Sequence, residues 1–237
     1  MTAFIGIGSR GGLRSFGGTQ FAQVNRWCTT WFKRDLIHFS QALTLRFNGA
    51  NMVLRLISED RLLVRMQIFQ AGTRIASIAF RIDPQRQRAF LSWTVLTPAT
   101  QRTGAFRHIL QNLLLVLRDC GITRISLVAS LTHGGYVWAI YGFLPETAGQ
   151  WARLAGVLRR KLLAIASELK PAELDAVQKL VASPDRLALR ALAGSAIPVR
   201  GTTLGKHLLM GTEWKGELDF SDGPSVLIYL KRIGVVP

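Results

Sequence analysis

Apolar and polar positions follow different periods along this chain. From Gln20 to Leu45 the large apolar side chains recur at helical spacing, which predicts a helix with an aromatic stripe packed in a core. Beyond residue 51 the period falls towards two. Residues 64–68 and 76–82 each alternate apolar with polar or small residues around the turn Gln70–Thr73, which predicts an antiparallel hairpin with one buried face. Residues 89–96 predict a third antiparallel strand.

A strand–turn–helix–strand unit continues from that third strand. The strand ends before Pro98, and residues 106–119 carry apolar side chains at helical spacing, with Gly121 placed to end the helix. Residues 122–130 form a second apolar run. Such a unit is a βαβ crossover with parallel strands, so the fold class predicted is α/β, in the sense of an α+β mixed sheet.

After Phe143 the pattern becomes helical and basic. Three helices are predicted, followed by a loop and a last strand: 151–169, 170–182, 186–193, then 201–216 and 226–230. We therefore predict three parts: a basic, Gly-rich leader with an aromatic helix (1–50), an α/β core (51–146) and a basic helical C-terminal extension (147–237).

The turn after the third strand has the chemistry of an anion site. A helix N-terminus presents unpaired backbone N–H groups and partial positive charge, and Gly104 lets a phosphate approach the backbone closely. Arg102 and Arg107 add charge at the same place. This turn predicts a phosphate or pyrophosphate site.

Here the sequence resembles the GNAT-type N-acetyltransferases. Their phosphate loop runs Gln or Arg, two residues, Gly, one residue, then Gly or Ala; this chain has Gln101 and Gly104, with Phe106 at the last position. The family's later segment reads Tyr, three residues, Gly-Phe, and Trp138 stands in the tyrosine's place before Gly142-Phe143. The resemblance covers about residues 51 to 146, and the order of elements agrees as well.

The resemblance implies acetyl-CoA as co-substrate. It places the pantetheine arm on main-chain groups of the strand before the loop, and the pyrophosphate on the loop amides. By position these are Thr94, Val95 and Leu96 for the strand, and Gln101, Arg102, Thr103, Gly104, Ala105 and Phe106 for the loop.

Several residues are candidates for the catalytic acid and the catalytic base. With Trp138 in the tyrosine's place, the nearest phenols are Tyr141 and Tyr136, and either could protonate the leaving thiolate or simply pack with its hydroxyl satisfied. His133, just past the second parallel strand, is a candidate general base, or a loop histidine with no role. Glu146 is a candidate carboxylate base, or one that offsets neighbouring arginines.

The composition is strongly basic, with 30 Lys and Arg against 14 Asp and Glu and a net charge of +16 spread over all three parts. Such a field attracts nucleic acid, anionic lipid or a phosphorylated ligand, although an arginine-rich composition without a role explains it as well. With 49% hydrophobic residues the chain can bury a sizeable core.

Two distant cysteines, Cys28 and Cys120, exclude a disulfide framework and favour a reducing interior. Histidines 38, 108 and 207 lack partners at ligand spacing, so no metal is predicted. No apolar run is long enough for a membrane span, and no secretory signal is evident. We predict a cytoplasmic protein, with an organelle transit peptide as the alternative for the Arg-bearing, acid-free N-terminus.

The function predicted is transfer of an acetyl group from acetyl-CoA to an amine of an unidentified acceptor, anionic or macromolecular in character. The alternative is a catalytically inactive GNAT-like fold that acts as a nucleic-acid-binding module. Charge alone raises a third idea, acetylation of charged transfer RNA.

Overall fold

The computed structural model describes residues 2–7, 13–16, 18–47, 49–101 and 103–236, with side chains described from residue 21 onwards except at 131–133. This part of the chain has a mixed α/β fold. It divides into two compact units, one of residues 1–125 with 233–235 and the other of residues 126–232. These units follow neither predicted boundary, at 50 or at 146, and the three-part division stays a prediction.

The first unit is built on an antiparallel sheet. Its strands are β1 (Thr2–Ile7), β2 (Leu13–Phe16), β3 (Gly49–Leu56), β4 (Leu62–Gln70), β5 (Thr73–Asp83) and β6 (Arg88–Leu96). They lie in the order β2-β1-β3-β4-β5-β6. The predicted antiparallel hairpin and third strand are therefore confirmed. The single buried face is wrong for β5, where residues 75–80 are all buried, including Ser77 and Ala79 on the opposite face.

Helices α1 (Gly18–Trp27), α2 (Leu36–Thr44) and α3 (Ala105–Asp119) complete this unit, with a π-helical turn at Cys28–Phe32 and a 3-10 turn at Pro98–Thr100. Asn112 of α3 is buried and donates to the carbonyls of Leu43 and Leu45 at 3.1 and 2.7 Å, which fixes α3 against the end of α2. The predicted helix 106–119 is confirmed, and Gly121 ends it with a φ of 72°.

The single helix predicted over 20–45 is wrong. The π-helical turn ends at Lys33, whose φ is 62°, and Asp35 then begins α2 as its N-cap. The aromatic stripe continues across this break, because Trp27, Phe32 and Phe39 are all buried and meet edge to face. Helical spacing of apolar residues therefore did not reveal the interruption.

We expect Asp35→Ala to lower the urea midpoint at neutral pH. The Asp35 carboxylate accepts the His38 amide at 2.9 Å and contacts His38 Nδ1 at 2.7 Å. These bonds, the amide first, lower the pKa of Asp35 from 3.8, so the contribution is present above that value and lost as pH falls through the lower folded pKa. Urea melts across this range should show the two proteins converging in acid.

Asp35→Asn is the matched control, because its amide oxygen still caps the helix without the charge. It should fall between the wild type and Asp35→Ala at neutral pH. Equal losses in both variants would contradict a capping role.

The second unit begins within β7 (Arg124–Ala129) and includes β8 (Leu144–Pro145) and β11 (Trp214–Asp219). Strand β11 lies between β7 and β8 and pairs antiparallel with β8. The chain thus leaves this sheet after β8 and returns to it at β11. The elements between are α5 (Ala148–Leu163), a 3-10 turn (Ala166–Glu168), α6 (Pro171–Ala182), α7 (Ala188–Ala193), the ribbon β9–β10 (Pro198–Val199, Thr202–Thr203) and α8 (Leu204–Leu209).

Two other helices flank this path, α4 (Leu131–Ile140) and α9 (Gly223–Ile233). The loop predicted over 201–216 is wrong, since α8 and the start of β11 lie there. The strand predicted over 226–230 is also wrong, because α9 occupies it and buries Ser225, Tyr229 and Ile233 at helical spacing. Short apolar runs fit either period. Within the described residues, no helix combines the length and apolar character needed to cross a membrane.

Candidate functional site

A β-bulge shapes the end of β6, where main-chain binding of the pantetheine arm is predicted. Pairing with β5 runs from Ala79 with Trp93 directly to Phe80 with Leu91, so Ser92 is an extra residue. Strict alternation would put Leu91 and Trp93 on the same face. The bulge instead leaves Leu91 buried and turns Trp93 to the opposite face, where 43% of it is exposed.

The three predicted strand residues differ in environment after the bulge. Thr94 lies opposite Ile78 on the face that carries the core, and its Oγ1 is buried with no hydrogen-bond partner among the described residues. Val95 lies on the opposite face and is 50% exposed, and Leu96 is half-buried. A buried hydroxyl normally has a partner, so Thr94 offers a free donor and acceptor at the strand end.

Threonines hold the following turn in place. The Thr97 amide and the Thr100 hydroxyl both donate to the Ile75 carbonyl of β5, at 3.0 and 2.8 Å. The Thr103 hydroxyl donates to the Thr100 carbonyl at 2.8 Å. The turn is thereby fixed to the sheet at one end while Gln101 and Thr103 remain exposed.

Gly104 sits at the N-cap of α3 with a φ of 84°, a left-handed conformation that favours glycine. A Cβ built there meets nothing within 4 Å, so the space in front of the helix end is open within the described structure. The backbone N–H groups of Gly104 and Arg107 have no acceptor among the described residues. An exposed helix start with free amides is suited to an anion.

Five of the six predicted loop residues are described, and they lie together at this turn. Ala105 is buried, its amide contacts Thr103 Oγ1 at 3.4 Å, and Phe106 is half-buried. Arg102 lies outside the described residues. All the described cofactor-binding candidates thus belong to the first unit.

The candidate acid Tyr141 belongs to the second unit and lies in an aromatic cluster. It follows α4 as its C-cap, and its ring centroid is 6.4 Å from that of Trp138 and 6.3 Å from that of Tyr229, both edge to face. Phe143 joins the same cluster at 5.2 Å from Trp138. Tyr141 itself is half-buried, so it is part of a packed cluster with access to solvent.

Tyr229 is the member of this cluster that the sequence did not predict. It is fully buried in α9, and burial, followed by the neighbouring Tyr141, raises the pKa of its phenol well above the ordinary range. Tyr229 therefore remains neutral. Its contact with Tyr141 joins residues far apart in sequence, and no local pattern indicated it.

Gly142 brings α9 close to Tyr141. Its φ is 89°, and a Cβ added there would lie 2.6 Å from the Ser225 carbonyl oxygen. Arg190 of α7 binds the side chains of Asp222 and Ser225 at the same end of α9. The Gly-Phe pair that carries the family resemblance is thus also a packing requirement.

The remaining catalytic candidates are spread over the second unit. Tyr136 is half-buried on α4. His133 lies in the first turn of α4, and its side chain is outside the described part. Glu146 is half-buried after β8, and its amide donates to the Lys215 carbonyl at 2.9 Å. The Arg186 guanidinium donates to the Pro145 and Glu146 carbonyls at 3.0 and 3.3 Å.

In the part of the chain that the structure covers, no group of three or more His, Cys, Asp or Glu residues could hold a metal ion.

Comparison with known proteins finds no family model that matches the chain and no curated protein similar to it.

Proposed function

We propose that the protein is an acyltransferase that moves an acetyl group from acetyl-CoA to an amine. The observation that carries this proposal is the start of α3, where left-handed Gly104 opens the helix end and its amide has no acceptor among the described residues. A diphosphate fits such an end because free amides and the helix dipole both stabilise negative charge.

The end of β6 is suited to the pantetheine arm of acetyl-CoA. The bulge at Ser92 ends regular alternation just before Thr94. The Thr94 hydroxyl, which has no partner within the described part of the chain, matches the amide-rich pantetheine arm. The meander β3–β6 followed by α3 and β7 is also the order of elements that the GNAT resemblance implies. We keep main-chain groups of Thr94, Val95 and Leu96 as the predicted contacts.

In the proposed reaction the amine nitrogen bonds to the thioester carbonyl carbon and the carbon–sulfur bond breaks. The thiolate takes a proton from Tyr141, with Tyr136 as the alternative acid. The amine loses its proton to His133 or Glu146. Each transfer is general acid–base catalysis by a positioned side chain.

The net charge of the protein indicates the chemical class of the acceptor. A net charge of +16 favours an acceptor that is anionic or carried on an anionic macromolecule. The cytoplasmic location predicted from the cysteines belongs to this proposal as well.

Acetyl-CoA and free CoA are expected to raise the melting temperature, whereas ATP is not. Ligand at about a hundredfold over its Kd adds about 2.7 kcal/mol to the free energy of unfolding. Gly104→Glu should abolish the shift, because it places a carboxylate at the proposed diphosphate site. Thermal unfolding with each ligand measures both effects.

Gly121→Glu is the matched control. Gly121 ends the same helix with a φ of 72°, and a Cβ there also meets nothing within 4 Å, so the two variants share strain and charge. Gly121→Glu should keep the shift with CoA. No shift of the wild type at millimolar acetyl-CoA, or equal loss in both variants, would overturn the proposed site.

A further inference from the structure

The sheet of the first unit has two unlike faces. The face that carries the core is apolar and almost fully buried through residues such as Met52, Val64 and Phe80. The opposite face, here called the outer face, carries two adjacent cross-strand rows. They are Arg55, Leu63, Arg81, Phe90 and Val53, Arg65, Ala79, Trp93.

The outer face is cationic, with three arginines that no described carboxylate pairs. Arg55, Arg65 and Arg81 are exposed, and none forms an ion pair with a described carboxylate. The acid on this side of the sheet, Asp83 at the end of β5, already contacts Arg61 at 3.3 Å. Unpaired guanidinium groups on one surface favour a polyanion.

Aromatic rings lie beside these charges, on the neighbouring strand β6. Trp93 is 43% exposed although tryptophan is usually well buried, because the bulge at Ser92 turns it away from the core. The Arg81 guanidinium lies 4.7 Å from the centroid of the half-buried Phe90 ring. Exposed rings on a sheet surface give bases a platform for stacking.

Small residues on β5 separate the polar and cationic residues of β4 from the apolar residues of β6. Ala79 lies between Arg65 and Trp93, and Ser77 lies between Gln67 and Val95 in the next row. Since neighbouring strands are about 4.8 Å apart, the flanking side chains stand roughly 10 Å from each other across β5. Ala79 and Ser77 are themselves buried, so the surface presents polar and cationic groups of β4 beside apolar groups of β6 rather than an open furrow.

We infer that the outer face binds single-stranded nucleic acid. The arginines contact phosphates and Trp93 stacks on an unpaired base, a combination that uses both chemistries of the face. A duplex keeps its bases stacked and would leave Trp93 unused. The inference does not depend on acetyl transfer, because binding needs neither acetyl-CoA nor the turn at Gly104.

The test is fluorescence anisotropy of a labelled oligouridylate of about 12 nucleotides with the whole protein, over a salt series and without acetyl-CoA. Arg65→Glu and Arg81→Glu are each expected to weaken binding and to reduce the log–log salt slope by about 0.7. Trp93→Leu should weaken binding roughly 5- to 150-fold with the salt slope unchanged.

Arg153→Glu is the charge-matched control, since Arg153 is exposed on α5 in the second unit. It should change affinity much less than Arg65→Glu does. Circular dichroism of each variant checks folding, which should survive because all three altered positions on the outer face are exposed.

Two outcomes would overturn the inference. One is equal weakening by Arg153→Glu and Arg65→Glu with no effect of Trp93→Leu, which would indicate attraction by total charge alone. The other is binding of a duplex or of phosphatidylglycerol vesicles as tight as that of the oligouridylate, since neither presents unpaired bases.

Discussion

Gly142→Ala is expected to lower the free energy of unfolding by about 2–5 kcal/mol. A left-handed conformation at an L residue costs about 1–2 kcal/mol, and overpacking adds about 1–3 kcal/mol. Both apply here, because φ is 89° and the added Cβ would lie 2.6 Å from the Ser225 carbonyl oxygen. That oxygen belongs to the backbone of α9, so the helix itself must move.

Urea denaturation of Gly142→Ala beside Gly121→Ala separates the two costs. Gly121 has a φ of 72° and open space around its Cβ position, so only the conformational cost of about 1–2 kcal/mol applies there. Equal losses would show that the approach of α9 to Gly142 adds nothing. A larger loss at Gly142 would establish α9 as the support of the aromatic cluster.

The fold could be predicted where neighbours in sequence decide it. Residues 64–68 and 76–82 alternate apolar with polar or small residues and are joined by a turn, so their antiparallel pairing was predictable, as was the helix that Gly121 ends. The position of β11 between β7 and β8 was not, because it depends on pairing between distant segments such as Gly216 with Pro145.

The candidate sites divide in the same way. The turn around Gly104 was predictable, because a glycine that follows a strand and precedes a helical pattern indicates a turn at the start of the helix. The exposure of Trp93 was not, because one extra residue at Ser92 reverses the face, and the apolar run Leu91–Leu96 gives no sign of it. The contact of Tyr141 with Tyr229 was not predictable either, because residues 226–230 of α9 have the pattern of a short strand.

Tyr141→Phe is expected to lower kcat for acetyl transfer by about 10²–10⁴, the usual contribution of a general acid. The variant keeps the ring and its contacts with Trp138 and Tyr229 and loses only the hydroxyl. The acetyl-CoA thermal shift should therefore be retained while turnover falls. Thiol release from acetyl-CoA with a panel of amines, including aminoacyl-RNA, measures the rate.

Tyr136→Phe provides the comparison, because Tyr136 is a half-buried phenol on α4, five residues before Tyr141. A loss confined to Tyr141→Phe assigns the acid to the phenol beside Gly142. A loss confined to Tyr136→Phe would move the role there, since Trp138, which stands between them in sequence, carries no comparable acid. Full activity in both variants would contradict a tyrosine acid, and the thiolate would then have to be protonated from a residue outside this cluster.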